Sequence, residues 1–558
     1  MALPMAGSSS GPGADNGTDV QRLKNIIPGR TRDPTIKINL TSAKKKIYTT
    51  SDKFEGTVSI ECHADTPFDE ISIELAGTAR TYVERMATAA AMSGRSQAFH
   101  RFMTLEQPGL KHLWPADRIL RVGITYEFAF AFTVPTGLLP RTCTHTVSND
   151  AVREAHLLLP PTFGDKEQAK IAKLQDDLAP DMASVRYGLF VQIFKYKQTD
   201  QGLKSVLITG GVKARRLRII PMVEVLPPLA VGYGEGDYHM RQEKRTKPGM
   251  FKGKTGTLTI EAEQPQALIV DTTFESDYPV STMATVSLRF DPLDQKITPP
   301  GLGNIATKLK VSTFFSSTAR SQFPSKSAAT HDLSQGIHSE QLNLSARCVN
   351  NVEWEKRGPA RSSAAARRDS ANSTISPATT AEGPNNIPIP APSLEYRPEI
   401  AYYTARVLVP ITLPENKFFV PTFHSCLLSR SYQLKLELGL AGFGAGSLSL
   451  KLPIQIAALP LESAPAGGLG RTATAETQTG TGTATDEDEY DGDDVWDFFE
   501  PRSMTGAARP VRRGSLAPPV VGGVGSDDVL PDYSPYVPSA GGRRGSGVVP
   551  RRRSSARP

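Results

Sequence analysis

Apolar and polar residues alternate with a period of two over several stretches of the chain. In residues 35–40, Ile36, Ile38 and Leu40 alternate with polar side chains, and in residues 126–132 every second residue is aromatic. Successive side chains of a β-strand point to opposite faces of the sheet, so this alternation is typical of a strand with one buried face. Both stretches are therefore predicted to be half-buried strands.

Similar short runs continue along the chain and are separated by Pro, Gly and Asp residues. In the first half they cover residues 54–60, 71–75, 185–193, 206–208 and 217–225. In the second half they cover residues 257–262, 267–270, 284–290, 307–315, 340–349, 401–413, 432–438 and 447–457. Many short strands with turn residues between them predict an all-β fold, either a sandwich or a barrel.

One segment, residues 165–178, has the pattern of a helix. Asp165 can cap its first turn, and Pro180 stops it. The apolar residues recur at helical spacing and are Ala169, Ile171, Ala172, Leu174 and Leu178. We predict one short helix in the first domain, packed on a sheet.

Segments with few large apolar residues divide the chain. They are residues 1–33, 355–392 and 461–558, which are rich in Ser, Gly, Pro, Thr and Arg. They cannot bury enough apolar surface to offset the entropy lost on ordering, so we predict a disordered arm, a disordered insertion and a disordered regulatory tail. The remaining chain predicts two β domains, 34–225 and 251–460, joined by a linker at 226–250. The 46 Gly and 44 Pro among 558 residues fit this mixture of turns and disorder.

Composition limits the chemistry. The 64 Lys and Arg exceed the 57 Asp and Glu by a net charge of +7, which is too small over this length to indicate nucleic-acid binding. Four cysteines and nine histidines show no metal-ligand spacing, and there is no nucleophile elbow or phosphate-loop motif. We therefore expect a protein that is not an enzyme, binds no metal ion, cofactor or nucleic acid, and keeps its thiols reduced.

The chain also lacks targeting features. Its N-terminus has neither a basic region nor an apolar stretch, and no run of about 18 apolar residues free of charge occurs. We expect a cytoplasmic protein without a membrane span.

A basic stretch precedes the predicted linker and contains Lys213, Arg215, Arg216 and Arg218. It is interpreted either as the solvated end of a strand or as a face that meets an anionic lipid surface.

Several residues have predicted structural roles. Gly56 and Gly77 allow bulges or tight bends, and Pro135 and Pro140 end a strand because proline cannot donate to the ladder. Arg430 lies in an apolar neighbourhood and needs a buried partner. The residues predicted to be core are Phe128, Phe130, Phe132, Tyr187 and Leu189.

The order of these motifs resembles a known family. Tyr48, residues 54–58 and residues 71–77 resemble the opening strands of the arrestin N-terminal domain, and residues 126–130 with Val134-Pro135 resemble its aromatic strand and proline corner. Residues 419–423 and 425–434 are similar to the C-terminal pattern of fungal arrestins. The resemblance spans about residues 34–460 and implies two arrestin-like β-sandwiches of the immunoglobulin-like type in series.

The tail contains a short ligand-like motif, Leu530-Pro531-Asp532-Tyr533. It resembles the Pro-Pro-x-Tyr ligand of WW domains, with Leu530 in the first position and Tyr533 in the aromatic one. Pro531 favours an extended conformation, which reduces the entropy lost on docking. In arrestin-related trafficking adaptors such motifs recruit HECT-type ubiquitin ligases, so the resemblance implies a WW-domain ubiquitin ligase as a partner.

Paired arginines precede serine at four places in the predicted disordered segments. The candidate phosphosites are Ser370, Ser515, Ser546, Ser554 and Ser555. Arginine pairs suit a basophilic kinase, phosphate would reduce the tail's positive charge, and 14-3-3 proteins are candidate readers. The acidic residues of 486–494 are interpreted as solvating sequence or as a clamp on a basic face.

Together these observations predict a cytoplasmic adaptor that is recruited to the plasma membrane or endosomes. It would link the cytoplasmic tails of transporters or receptors to a ubiquitin ligase for endocytosis. The alternatives are an arrestin-fold scaffold that never engages ubiquitin and an enzyme carried on a β-sandwich.

Overall fold

The strands of this protein form two layered β units that follow one another along the chain. The computed structural model describes residues 33–41, 47–85, 94–165, 175–199, 202–229, 237–247, 253–272, 279–358, 389–441, 446–460 and 489–491. Among these residues, no helix combines the length and apolar character needed to cross a bilayer.

In the described residues, the first unit has nine strands and one α-helix. The strands are β1 (Thr35–Leu40), β2 (Lys53–Glu61), β3 (Thr66–Pro67), β4 (Glu70–Arg85), β5 (Gly94–Glu106), β6 (Ile119–Leu120), β7 (Thr125–Thr133), β8 (Ala183–Thr199) and β9 (Gly202–Leu217). The helix α1 (Asp150–Leu157) follows a short 3-10 helix, Pro140–Thr142. A second 3-10 helix covers Leu110–Leu113.

Two antiparallel sheets of the first unit pack face to face. One has the order β1-β2-β7, and the other has the order β9-β8-β4-β5, while β3 and β6 form a small separate pair. Apolar side chains of both sheets share one core, which includes Ile38, Val58, Phe128, Ile73 and Leu189. This is a β-sandwich, and we call it the first sandwich.

The part of the second unit that the structure describes contains twelve strands and a short helix. The strands are β10 (Arg241–Thr246), β11 (Gly256–Ala262), β12 (Leu268–Asp271), β13 (Ser281–Pro292), β14 (Leu302–Ser316), β15 (Gln335–Cys348), β16 (Glu355–Arg357), β17 (Tyr402–Thr412), β18 (Phe423–His424), β19 (Leu428–Leu440), β20 (Ser447–Ile454) and β21 (Ile456–Leu459). The helix α2 (Lys326–His331) precedes β15.

These strands form the second sandwich. One sheet has the order β10-β11-β13-β17-β16, and the other has the order β15-β14-β19-β18, with β20 also pairing with β19. Residues of both sheets meet in a second core that includes Leu258, Leu288, Val409, Leu309 and Leu434. A last strand, β22 (Glu489–Asp491), lies far along the chain and pairs with β9 of the first sandwich.

The all-β prediction is confirmed, and so is the alternation on which it rests. In β7 the burial alternates along the strand, and Phe128, Phe130 and Phe132 are buried. Tyr187 and Leu189 are buried as well. Gly77 stands at a register shift between β4 and β5, and a Cβ there would lie 2.5 Å from the Phe102 ring. The prediction that Gly77 allows a bulge is therefore confirmed.

Other predictions differ from the structure. The helix predicted at 165–178 lies mostly outside the described residues, and its last residues 175–178 are not helical. Residues 166–174 are not described, so the helix stays a prediction there. Among the described residues of the first sandwich, the α-helix is α1, which Asn149 caps by accepting a hydrogen bond of 3.0 Å from the Val152 amide. Its eight residues follow a loop with weak apolar periodicity, so the sequence pattern did not reveal it.

The predicted linker and insertion contain strands at their margins. β10 lies inside the segment 226–250 and pairs with β11, and β16 lies at the start of the segment 355–392 and pairs with β17. Both are mostly polar edge strands, whose composition resembles that of a loop. Of residues 217–225, which were predicted to form a strand, only Leu217 belongs to a strand, because β9 ends there.

Candidate functional site at the contact between the two sandwiches

A short segment of the first sandwich, residues 176–179, reaches into the second sandwich. The Asp176 carbonyl accepts a hydrogen bond of 2.9 Å from the Phe418 amide, and its carboxylate lies 3.0 Å from Lys417 Nζ. Leu178 is buried in the core of the second sandwich, whereas Ala179 belongs to the core of the first. We call residues 176–179 the connecting segment, because it takes part in both cores.

Arg430 on β19 is fully buried and holds the connecting segment. Its guanidinium donates to the carbonyl oxygens of Asp177 at 2.7 Å and Leu178 at 3.0 Å, and to Thr313 Oγ1 at 2.6 Å. Leu178 has a φ of 58°, the left-handed region that a leucine rarely adopts. The prediction that Arg430 needs a buried partner is confirmed, and the partners are backbone carbonyls of the other sandwich.

The end of β9 adds two more buried arginines to this contact. Arg216 forms an ion pair of 3.1 Å with Asp165, and both side chains are buried. The Arg218 guanidinium lies 4.1 Å from the centre of the Phe418 ring. Burial lowers the pKa of Arg218, while the carboxylates of Asp177 and Asp165 act against this shift. Cationic side chains therefore line this part of the contact.

The structure buries two of the four residues of the predicted membrane-facing basic patch. Arg216 and Arg218 cannot face a lipid surface in this structure, because the loop that carries Asp165 and the second sandwich cover them. Lys213 and Arg215 are half-buried, and Arg215 donates a hydrogen bond of 2.8 Å to the Ile38 carbonyl. Arg215, Arg216 and Arg218 therefore each contact another element of the fold.

A second group of side chains at the contact consists of Cys143, His145, His156 and Cys426. One ligand-capable atom of each residue lies within 4.8 Å of the corresponding atoms of the others. Cys143 Sγ is 3.3 Å from His145 Nε2 and 3.6 Å from His156 Nδ1. Cys143, His156 and Cys426 are buried, and His145 is partly exposed. We call these four residues the Cys/His cluster.

Both sandwiches position the Cys/His cluster. Cys143 directly follows the 3-10 helix, His145 lies in the next loop, and His156 lies in the last turn of α1. Arg153 donates a hydrogen bond of 2.7 Å to the Cys143 carbonyl and so ties this loop to α1. Cys426 comes from the turn between β18 and β19 of the second sandwich.

The turn that carries Cys426 is held by its own hydrogen bonds. The Ser425 amide donates to the Leu428 carbonyl at 2.7 Å, and the Leu428 amide donates to Ser425 Oγ at 3.2 Å. The Arg320 amide donates to the Cys426 carbonyl at 2.9 Å. The backbone around Cys426 is therefore bound on several sides.

Burial and neighbouring groups shift the titration of the cluster. A hydrogen bond with Cys426 lowers the pKa of Cys143 to about 7, and the charge of Arg153 acts in the same direction. Burial, followed by the charge of Arg320, lowers the pKa of His156 to about 3. Burial also lowers the pKa of His145. These shifts favour the neutral imidazoles near pH 7, in which one ring nitrogen accepts and the other donates.

Sequence reasoning missed this cluster and predicted no metal ligands. Cys143 and His145 are two residues apart and His156 follows at thirteen, but Cys426 comes from the other sandwich. The Cys-x-His pair was a usable signal, although no sequence spacing reveals a fourth residue that only tertiary contact supplies.

The sites predicted in the tail and the insertion lie outside the described residues. These are Leu530, Pro531 and Tyr533 of the ligase-binding motif and the candidate phosphosites Ser370, Ser515, Ser546, Ser554 and Ser555. One part of the tail, β22, comes from the acidic segment 486–494. Its backbone adds to the edge of β9, with Glu489 opposite Arg215 and Asp491 opposite Lys213.

An exposed strand, β15, forms the outer edge of its sheet among the described residues. Every residue of β15 is at least partly exposed, and the strand contains neither proline nor lysine. From Gln335 to Asn343 it pairs with β14 without interruption. Proteins often block such edges with proline or charged residues; β15 carries Glu340 and Arg347, but its outer backbone groups have no strand partner among the described residues, so a segment of another protein can add to this edge.

Comparisons with known proteins identify no relative. No protein-family model matches this sequence, and no curated protein shows significant similarity to it.

Proposed function

We propose that this protein is an adaptor that links cytoplasmic segments of membrane proteins to a WW-domain ubiquitin ligase of the HECT type. The proposal joins two tandem β-sandwiches to a tail motif, Leu530-Pro531-Asp532-Tyr533, that resembles a WW ligand. The observation that carries it is the exposed edge of β15, which suits recognition of an extended peptide.

Cargo recognition follows from the chemistry of an open sheet edge. A strand that pairs on one side leaves backbone N–H and C=O groups directed outward, and an extended segment of another protein can bind them by adding a strand. Backbone pairing tolerates many sequences in the added strand, whereas the side chains along β15 determine which of these sequences bind best. An extended cytoplasmic tail of a transporter or receptor is the partner that this surface fits.

Ligase recruitment would rest on the tail. Tyr533 fills the aromatic position of the motif, and Pro531 limits the conformations that must be ordered on docking. Phosphorylation of Ser515 or Ser546 would add about −1.5 to −2 charges at each residue and change how the tail meets its partners.

The ligase half is tested with isolated WW domains of HECT-type ligases and the full chain. Tyr533→Ala is expected to weaken binding roughly tenfold or more, because an aromatic hot spot contributes about 2 kcal/mol. The matched control is Tyr536→Ala, which removes a neighbouring tyrosine outside the motif and should bind like the parent. Equal binding by the parent and Tyr533→Ala, or none by either, would leave the arrestin-fold scaffold without ligase recruitment as the function.

The cargo half is tested by recovery of membrane proteins from detergent-solubilised membranes. Ser345→Lys places a lysine at an exposed position of β15 and is expected to reduce recovery, since charged edge residues oppose strand addition. Glu61→Lys is the control, because β2 is flanked by β1 and β7. Unchanged recovery with Ser345→Lys would show that cargo does not bind this edge.

A further inference from the structure

We propose that Cys143, His145, His156 and Cys426 form a structural zinc site that joins the two sandwiches. Three of the ligands come from the first sandwich and the fourth comes from the second. The site would therefore act as a cross-link between the sandwiches, in addition to the contacts made by the connecting segment.

The distances within the cluster fit a tetrahedral metal centre. Zinc binds thiolate sulfur at about 2.3 Å and imidazole nitrogen at about 2.0–2.1 Å, so the edges of a tetrahedral Cys2His2 site measure roughly 3.3–3.8 Å. The separations of Cys143 Sγ from His145 Nε2 (3.3 Å) and from His156 Nδ1 (3.6 Å) lie in this range. All four ligand atoms lie within 4.8 Å of one another, so modest closure brings them onto one ion.

The identity of the donors selects the metal. Two thiolates and two imidazoles in tetrahedral arrangement are typical of zinc, whereas magnesium and calcium prefer oxygen ligands. Two thiolates also balance the charge of one divalent ion, and binding releases the two thiol protons. Four protein ligands, three of them buried, leave no open position for a substrate, which is the character of a structural site.

A backbone carbonyl orients the ring of His145, the most exposed residue of the cluster. Metal-bound histidine usually donates its second ring N–H to a carbonyl or carboxylate, which orients the ring. His145 Nδ1 lies 3.2 Å from the Thr146 carbonyl, and its Nε2 faces Cys143 Sγ at 3.3 Å.

The test measures metal content of the full chain purified under reducing conditions without chelators. After incubation with zinc and removal of the excess, elemental analysis should find one zinc ion per parent chain. Cys426→Ser and His156→Asn should each lose nearly all of it. Cys348→Ser is the matched control, because Cys348 is exposed and lies outside the cluster, and it should keep the parent's zinc content.

Cobalt(II) provides a second readout, and its first measurement uses the parent chain alone. In the parent, it should give the strong visible bands of a tetrahedral centre together with a thiolate charge-transfer band in the near ultraviolet. Cys426→His preserves four ligands and should keep a tetrahedral spectrum with a weaker thiolate band. If Cys426 only packed in the contact and did not bind the metal, this substitution would leave the thiolate band unchanged.

Three results would overturn the proposal. The first is a parent chain that takes up no zinc after full reduction of its thiols, which also breaks any disulfide between Cys143 and Cys426. The second is a folded Cys426→Ser chain that binds as much zinc as the parent. The third is a parent cobalt spectrum with only the weak bands of an octahedral centre.

Discussion

At the scale of single residues, the contact between the sandwiches depends on how buried polar groups are satisfied. Arg430 has no exposed surface, and its guanidinium binds the Asp177 and Leu178 carbonyls. A buried carbonyl that loses its donor costs about 1–3 kcal/mol. The left-handed backbone conformation of Leu178 is strained, and these hydrogen bonds help to stabilise it.

Replacing Arg430 by methionine is therefore expected to lower the free energy of unfolding by at least about 2 kcal/mol, since two buried carbonyls lose their donor. Arg430→Lys should recover only part of this, because an ammonium group cannot reproduce the fork of the guanidinium. Thermal unfolding followed by circular dichroism measures both. Arg347→Met, at an exposed position of β15, should stay within about 0.5 kcal/mol of the parent. Equal midpoints for Arg430→Met and Arg347→Met would contradict this role of Arg430.

At the scale of elements, the most informative feature is the pairing of β22 with β9. The pairing covers an edge of the first sandwich and sets acidic residues of the tail opposite Lys213 and Arg215. Residues 489–491 of the acidic segment thus pair through their backbone with the first sandwich, whereas the interpretation of the segment as a clamp on a basic face stays a prediction.

Deletion of residues 486–494 should uncover the edge of β9. We expect faster amide hydrogen exchange over residues 213–215, because their outward groups lose their strand partner. Exchange followed by mass spectrometry measures the change, and deletion of residues 463–471 controls for shortening the tail. If exchange at 213–215 is the same in the parent and in both deletions, β22 does not cover this edge in solution.

Elements also show why some sequence predictions succeeded. β1, β2 and β7 were predicted almost to the residue because one face of each packs on a core, so burial alternates along the strand. The strands β5, β10 and β16 lie at sheet edges, where solvent reaches more of the side chains, and their sequences lack this alternation. α1 is too short for a clear helical period.

At the scale of the whole molecule, the two sandwiches are joined by an extensive contact. The connecting segment lies in both cores, Phe163 packs edge-on against Phe423 across the contact, and the Cys/His cluster spans it. A metal ion there would stabilise the relative placement of the sandwiches. Loss of the ion would then act on the contact first, and on either sandwich core only later.

By itself, the sequence determined the all-β class, the two successive strand-rich regions, the buried aromatic residues of β7 and the need of Arg430 for a partner. These follow from local periodicity and from the cost of burying polar groups, which act wherever the strand packs. Only the tertiary structure decided what Arg430 binds, that Arg216 and Arg218 are buried, and that Cys426 joins Cys143, His145 and His156. Each of these depends on elements that are distant in sequence and meet only when the two sandwiches pack together.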